Sequence, residues 1–476
     1  MMLTLADCVE FLAGAPKGTS DVTFSDVVIN SREVRPGDLF VALPGERTDG
    51  HRFVDDALAN GAAGALIHKD VALNPQPAFV DVRQPITPKL LATLGGPVLI
   101  RVPDTLSALQ QIAAGWRARF PVRTIGITGS VGKTTAKETV AAVLSQRYDT
   151  LKSESNLNNE IGLPLTLLRL RSRHQRAVLE MGMYARGEIA QLAAIAQPHI
   201  GIVTNVGPSH LERLGSLDAI AEAKAELVEA LPADGTAILN ADDPVAAGMS
   251  RRTPANTFTY GLSREADLWA DNIESLGLDG ISFQLHYRGE SLHVKVPMLG
   301  RHSVHTSLAA AGVGLVDNLS WQEILDGLQE PRGQLRLVVV PGINGSTILD
   351  DTYNASPDST LAALNLLDDL NGRTIAVLGG MLELGDYEVE GHEKVGARAA
   401  AVLDGLIVVG ELGRMIGETA LEAGMASESV LYAADNAAAI DRLREILRSG
   451  DTVLIKGSRS LEMEEIVAAI AQTSDQ

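Results

Sequence analysis

Residues 128–138 read TGSVGKTTAKE, and the rest of the fold can be worked outward from them. Gly129-x-x-Gly132-Lys133-Thr134 is the core of a phosphate-binding loop, with Ile127 standing where the full G-x-x-x-x-G-K-[ST] pattern has its first glycine. The flanks fit. RTIGIT (123–128) is a short, β-rich apolar run, and KTTAKETVAAVLSQRY (133–148) is a helix-forming run directly after it. Strand, glycine loop and helix start come in the order that turns backbone N–H groups of the Gly129, Ser130, Val131, Gly132, Lys133, Thr134, Thr135 stretch toward phosphate oxygens. Lys133 adds a point charge, and the Thr134 hydroxyl is a candidate Mg²⁺ ligand. The structural alternative is an ordinary glycine-rich turn; Lys-Thr-Thr in this context favours phosphate, and hence a triphosphate nucleotide such as ATP.

At 476 residues the chain exceeds one ordinary core. Three domains fit best. A single cysteine, Cys8, excludes a disulfide framework and fits a reducing compartment. Asp7 and Glu10 stand where a signal peptide would need positive charge, and no apolar run reaches spanning length, so a cytoplasmic, soluble protein is expected. Sixty acidic against 40 basic residues give a net charge of −20, which opposes binding to nucleic acid or anionic membranes. Anionic substrates would then have to be held by local cations and Mg²⁺.

The segment to about residue 120 mixes short strands (DVVINS, DLFVAL, GALIH) with helical stretches (FVDDALANGA, TLSALQQIAAGWRARF). Between Val71 and Ile100 stand Pro75, Pro77, Pro85, Pro88 and Pro97, a density that predicts an irregular excursion. From the phosphate loop onward, strands (RAVLEM, HIGIVTNV, TAILN) alternate with helices (GEIAQLAAIA, SLDAIAEAKAELVEAL), which predicts a largely parallel sheet with the nucleotide at its carboxyl edge. The stretch 255–298 alternates like an antiparallel region, and from about 333 the strand–helix pattern resumes with RTIAVLGG, GLIVVGELG and TVLIKGSRS.

Helix SLDAIAEAKAELVEAL places Leu217, Ile220, Leu227, Val228 and Leu231 on one face, and Lys224 on the same face. A lysine there either snorkels at the edge of the apolar stripe or is buried with a neutral, nucleophilic amine. Such an amine can add CO₂ and offer carbamate oxygens to Mg²⁺. Glu180 ends the apolar run AVLE, where a strand would deliver a carboxylate beside the loop, and His210 lies in the loop NVGPSHLERLG. With Thr134 and Lys224 they form a candidate set for two metal positions.

In order, TGSVGKTTAKE, SNLNNEIGLPLTLLRL, LEMGMYARGEI, TNVGPSHLERLGS, AEAKAEL, DDTYNASPDS and KGSRSLEMEE resemble the motifs of the Mur ligases of peptidoglycan synthesis. INSREVRPGDLFVALPGERTDGHRFVDDALANGA is similar to that family's UDP-sugar-binding domain, so the resemblance covers nearly the whole chain. NLNNEIG, DDTYNASPDS and KGSRS match the branch that joins D-alanyl-D-alanine to UDP-N-acetylmuramoyl-tripeptide. The resemblance implies three α/β domains: a small UDP-binding domain (1–119), a central P-loop-type ATPase domain with a mostly parallel sheet (120–332), and a Rossmann-like acceptor-binding domain (333–476). It also implies roles. Lys133 and Thr134 hold the ATP phosphates and the first Mg²⁺, Glu180 bridges metals, and His210 with carbamylated Lys224 takes the second. Asp351 binds the ribose, Arg336 reaches the nucleotide, and Asn158 and Asn159 line the acceptor channel. Ser31, Arg32, Gly45, Arg47, Thr48 and His51 hold the uridine diphosphate end, while Tyr353, Asn354, Lys456, Ser458 and Arg459 belong to the substrate side. For the Arg459 turn, the structural alternative is an ion pair with Glu462 or Glu464. Three departures from the family pattern stand out: Asn30 where the family has aspartate, Ser303 and Thr306 where it has asparagines near adenine, and the longer proline-rich stretch 71–97.

The implied reaction transfers the γ-phosphoryl group of ATP to the tripeptide's terminal carboxylate and lets the dipeptide amine attack the acyl phosphate. A monomer that closes its domains around the substrates, hinged near 118–121 and 331–333, is expected. The alternatives are another ligase of the Mur and folylpolyglutamate superfamily with a different acceptor, or a nucleotide-gated switch. A dehydrogenase is excluded, because AVLGGMLELGD (376–386) lacks G-x-G-x-x-G and puts Glu383 where a pyrophosphate would sit.

Overall fold

The computed structural model describes residues 2–14, 18–45, 48–209, 211–330 and 337–472. Arg47, His210 and Arg336 lie outside the described residues, as does the expected connection 331–333. The chain divides into two compact units, the first made of residues 1–126, 148–182 and 188–199, the second of the remainder.

In the first unit, five short parallel strands form one sheet in the order Val27–Val28, Leu39–Val41, Gly64–Ile67, Val98–Arg101, Ala78–Asp81. Phe40, Val54, Ala57, Ala65, Ile67 and Leu99 fill one of its faces. The expected irregularity of 71–97 is corrected here: the stretch supplies the edge strand Ala78–Asp81 and the helix Pro88–Thr93. Its prolines escape the usual prohibition because Pro75 and Pro77 precede the strand, Pro97 precedes the next one, and Pro88 takes the first helical position, where no N–H is needed. Helix Thr105–Ala118 packs on Gly162–Leu168 and on Glu188–Ala196. Its buried Arg117 donates to the carbonyls of Ala196 (2.9 Å) and Val122 (3.1 Å). Strand Arg176–Glu180 runs parallel to Thr150–Lys152.

In the second unit, the strands Ile200–Val203, Thr236–Asn240, Asn256–Gly261 and Leu268–Ser275 neighbour one another in parallel. Ile281–Tyr287 and Glu290–Val296 then continue antiparallel. The stretch 255–298 is therefore antiparallel only from its second strand onward; Asn256–Gly261 follows helix Pro244–Gly248, whose crossover returns the chain in the same direction. A separate six-stranded sheet follows, in the order Val338–Pro341, Thr347–Asp350, Thr452–Lys456, Thr374–Gly379, Gly405–Val409, Val430–Ala433. All its pairings are parallel but the first. Apolar clusters cover both of its faces, as a parallel sheet requires. No helix among the described residues is long and apolar enough to cross a membrane.

Candidate active site

Strand Arg123–Thr128 delivers the glycine loop, and helix Lys133–Leu144 leaves it, as expected. Gly132 caps the helix in the left-handed region (φ 83°), and no side chain caps its N–H groups. At Gly129 (φ 150°) a Cβ would lie 1.8 Å from Thr204 Oγ1, so only glycine lets the loop pass this closely over the segment that follows strand Ile200–Val203. That segment braces the loop. Ser130 N–H donates to Asn205 O (3.0 Å), Val131 N–H donates to Asn205 Oδ1 (2.9 Å), and Thr204 Oγ1 donates to Val131 O (2.7 Å). Ser130 and Val131 thus turn their N–H groups to the neighbouring loop, contrary to the simplest expectation for a phosphate cradle. Lys133 Nζ folds back onto the carbonyl of Gly129 at 2.8 Å, and Thr134 is buried.

Lys224 decides between its two readings in favour of burial. Helix Leu217–Glu229 lays Ala225, Val228 and the following Leu231 against strands Ile200–Val203 and Thr236–Asn240. Lys224 is only 2% exposed and makes no hydrogen bond among the described residues. Burial, reinforced by the charge of Lys133, pushes its amine well below the usual lysine range. Leu217 departs from the expected apolar face: it is half exposed at the helix start, next to the cap Ser216.

In the first unit, Glu180 ends its strand as expected and is buried, accepting a hydrogen bond from Asn158 Nδ2 at 2.8 Å. Asn159 Oδ1 accepts from the N–H of Gly162 (2.9 Å) and so fixes the start of helix Gly162–Leu168. Asn60 Nδ2 donates to the carbonyl of the buried Ser31, and Arg32 is exposed. Gly45 N–H donates to Thr48 O, closing the loop. His51 is fastened at both ring nitrogens, Nδ1 to Asp49 (2.6 Å) and Nε2 to the N–H of His68 (3.0 Å). Lys69 and His51 together hold the Asp49 carboxyl far below the ordinary carboxylate range. His51 therefore shapes the loop and has no ring nitrogen left for a ligand.

In the C-terminal segment, Lys456, at the end of strand Thr452–Lys456, is buried and donates to Asp351 Oδ2 (2.7 Å) and Asn354 O (2.9 Å). Arg459 pairs with Glu464 at 2.7 Å on an exposed surface, the structural alternative foreseen for it. Ser458 Oγ accepts from the N–H of Leu382 (2.9 Å), tying the turn to the loop after strand Thr374–Gly379. Tyr353 and Asn354 are exposed. A cavity of about 250 Å³ that sequence reasoning missed lies beside Thr135, lined by Leu278, Met298, His302, Ser303 and Val338. Its walls come from segments distant in sequence, so no local pattern announces it. Ser303 Oγ, at the first residue of helix Ser303–Val316, donates to the carbonyl of Leu299 in the segment before it (2.6 Å). Among the described residues no group of three His, Cys, Asp or Glu side chains could hold a metal ion.

Three family models match the chain: a Mur ligase catalytic domain over residues 23–117, a Mur ligase middle domain over 127–314, and a Mur ligase glutamate ligase domain over 335–459. The chain is 39% identical to a UDP-N-acetylmuramoyl-tripeptide–D-alanyl-D-alanine ligase of Synechocystis, across 95% of this chain and 93% of that one. Among solved structures it is similar to MurF from Acinetobacter baumannii, with a TM-score of 0.83, 31% identity and 98% of each chain covered. It also resembles a MurF ligase from Thermotoga maritima in complex with ADP, with a TM-score of 0.79, 28% identity, and 95% and 98% coverage. With its glycine loop, its buried lysine and three matched segments in this order, the chain belongs to the Mur ligase family, in its MurF-like branch.

Proposed function

We propose that this chain is an ATP-dependent amide ligase that joins D-alanyl-D-alanine to UDP-N-acetylmuramoyl-tripeptide in the cytoplasm, working as a monomer of three domains bounded near residues 119 and 332. The observation that carries the chemistry is the braced glycine loop with a buried Lys224 amine that has no hydrogen-bond partner among the described residues and lies under the influence of Lys133. Lys133 and Thr134 receive the nucleotide phosphates, and the cavity beside Thr135 accepts the base. Asp351, oriented by Lys456, faces the ribose with its remaining carboxylate oxygen. Arg336 adds a contact to the nucleotide.

Lys224 fits a metal-ligating carbamate, because a neutral amine is the form that adds CO₂, and the product's oxygens would suit Mg²⁺ alongside Thr134, Glu180 and His210. Mg²⁺ bound there would neutralise the phosphates and the charge that spreads in the transition state. Lys133 draws the γ-phosphoryl toward the tripeptide carboxylate, Asn158 positions that carboxylate's channel, and Asn159 holds the helix that forms it. Ser31, Arg32, Gly45, Arg47 and Thr48 grip the uridine diphosphate on a loop kept in shape by His51. Arg459 exchanges its exposed partner Glu464 for the dipeptide carboxylate, an exchange that costs little for a solvated pair. Phosphate release by the purified chain tests the function. It should require ATP, the UDP-linked tripeptide and D-alanyl-D-alanine together, and turnover supported equally well by a single amino acid would instead favour the alternative acceptor class.

A further inference from the structure

Strand Thr374–Gly379 runs out into the loop 380–387, and the start of that loop is fastened residue by residue. The carbonyl of Gly380 accepts from the N–H of Ser458 (3.1 Å), the N–H of Met381 donates to Nε2 of the buried His392 (3.0 Å), and the N–H of Leu382 donates to Ser458 Oγ (2.9 Å). His392 Nδ1 lies 2.7 Å from Glu388 O, so both ring nitrogens are spent on holding the loop. The far side of the loop meets a different segment. The N–H of Glu212 donates to Glu383 O (3.4 Å), and a Cβ on Gly385 would stand 3.0 Å from Glu212 Cα. A few residues before Glu212 the chain is tied to the phosphate loop: Gly207 N–H donates to Ser130 Oγ (2.8 Å), and Ser209 Oγ lies 3.0 Å from the same hydroxyl. Leu382 and Glu383 therefore bridge the Ser458–Arg459 turn and the segment braced on the phosphate loop. Glu383 keeps φ at 64°, a left-handed conformation that a residue other than glycine holds only where its surroundings impose it. Leu382, beside it, is 41% exposed.

An exposed leucine is ordinary on any protein surface; the position of this one is not. An acceptor whose carboxylate meets Arg459 and whose amine has to reach the phosphate loop must lie along the bridge. A dipeptide spans at most about 7 Å when fully extended, the length of the two bridging residues. Its C-terminal residue then lies next to Ser458, and so next to Leu382. We propose that Leu382 is a specificity-determining residue of the acceptor site, packing against the methyl group of the dipeptide's C-terminal residue and favouring a small apolar side chain there over none. This assignment rests on the ligase function proposed above. The backbone bonds on either side of Leu382 hold its side chain in place before the dipeptide arrives, so little further ordering is needed on binding.

The test gives the purified full chain ATP, Mg²⁺ and the UDP-linked tripeptide, and compares three acceptors: D-alanyl-D-alanine, D-alanyl-glycine, which lacks only the C-terminal methyl group, and glycyl-D-alanine, which lacks only the other one. In the unsubstituted enzyme, kcat/KM should favour D-alanyl-D-alanine over D-alanyl-glycine by about fourfold or more, the worth of burying one methyl group. Leu382→Ala should bring that ratio below about twofold, through KM for D-alanyl-D-alanine, and leave both the ratio to glycyl-D-alanine and KM for ATP within about twofold of the unsubstituted values. Leu382→Met, apolar and of similar volume, should restore the preference to within about twofold. A preference over D-alanyl-glycine that survives Leu382→Ala, an equal loss with all three acceptors, or a methionine variant that behaves like alanine overturns the assignment. Absence of any dipeptide addition by the unsubstituted enzyme overturns the ligase function itself, and this assignment with it.

Discussion

Two lysines look alike in sequence and differ in kind once folded. Lys224 is buried without a hydrogen-bond partner among the described residues, whereas Lys456 is equally buried but paired with Asp351 at 2.7 Å. Lys224→Arg retains a cation that cannot form a carbamate; it should abolish most ligase activity, and a ¹³C carbamate signal seen after ¹³CO₂ labelling of the unsubstituted protein should be missing. Near-normal turnover of that variant would remove Lys224 from the site. Lys456→Met leaves Asp351 buried and unpaired, which should lower stability by about 3 kcal/mol in urea denaturation. Arg459→Ala breaks only an exposed pair, so its stability should shift by less than about 1 kcal/mol. If it reads the dipeptide carboxylate, that variant should raise KM for D-alanyl-D-alanine far more than KM for ATP.

Among elements, the close approaches made possible by glycine are the most exacting contacts. A methyl group at Gly129 would collide with Thr204 Oγ1 at 1.8 Å. Gly129→Ala should therefore lift the loop off its brace and weaken nucleotide binding by at least about tenfold in calorimetry, roughly the worth of one or two charge-assisted hydrogen bonds. Gly327, in helix Trp321–Gln329, sits against the helix Lys133–Leu144, where an added Cβ would meet Val143 Cα at 2.4 Å. Alanine normally favours a helix over glycine by about 0.5–1 kcal/mol. Overpacking typically costs about 1–3 kcal/mol, so the net effect of Gly327→Ala should be destabilising. A rise in melting temperature would show that the two helices separate easily.

For the whole molecule, the expected closing motion needs a connection that can bend. Residues 118–121 are poorly suited, because Arg117 fastens the carbonyls of Val122 and Ala196 across this corner, and bending there would break buried hydrogen bonds. The other expected hinge, 331–333, lies outside the described residues. Small-angle scattering should show a smaller radius of gyration when an ATP analogue and the UDP-linked tripeptide are both present, since an acyl phosphate must be kept from water. An unchanged radius would count against closure. The net charge of −20 makes the local cation Lys133 conspicuous, and it fits small anionic substrates held by specific contacts better than a broad polyanion surface.

The sequence by itself determined the strand–loop–helix unit at 123–144, the alternation that builds parallel sheets, and the family, because these depend on local backbone chemistry: where glycine permits a turn, and whether apolar residues repeat at the period of a strand or a helix. Only the tertiary structure decided the rest. It buried Lys224 but left Leu217 exposed on the same helix, made a strand and a helix out of a proline-rich stretch, and ran Asn256–Gly261 parallel to its neighbours. It bound both nitrogens of His51, joined Lys456 to Asp351, and brought Glu383 to Glu212. Each of these outcomes is set by groups that arrive from distant parts of the chain. Desolvation and pairing energies belong to that assembled surround, and a single stretch of sequence does not contain it.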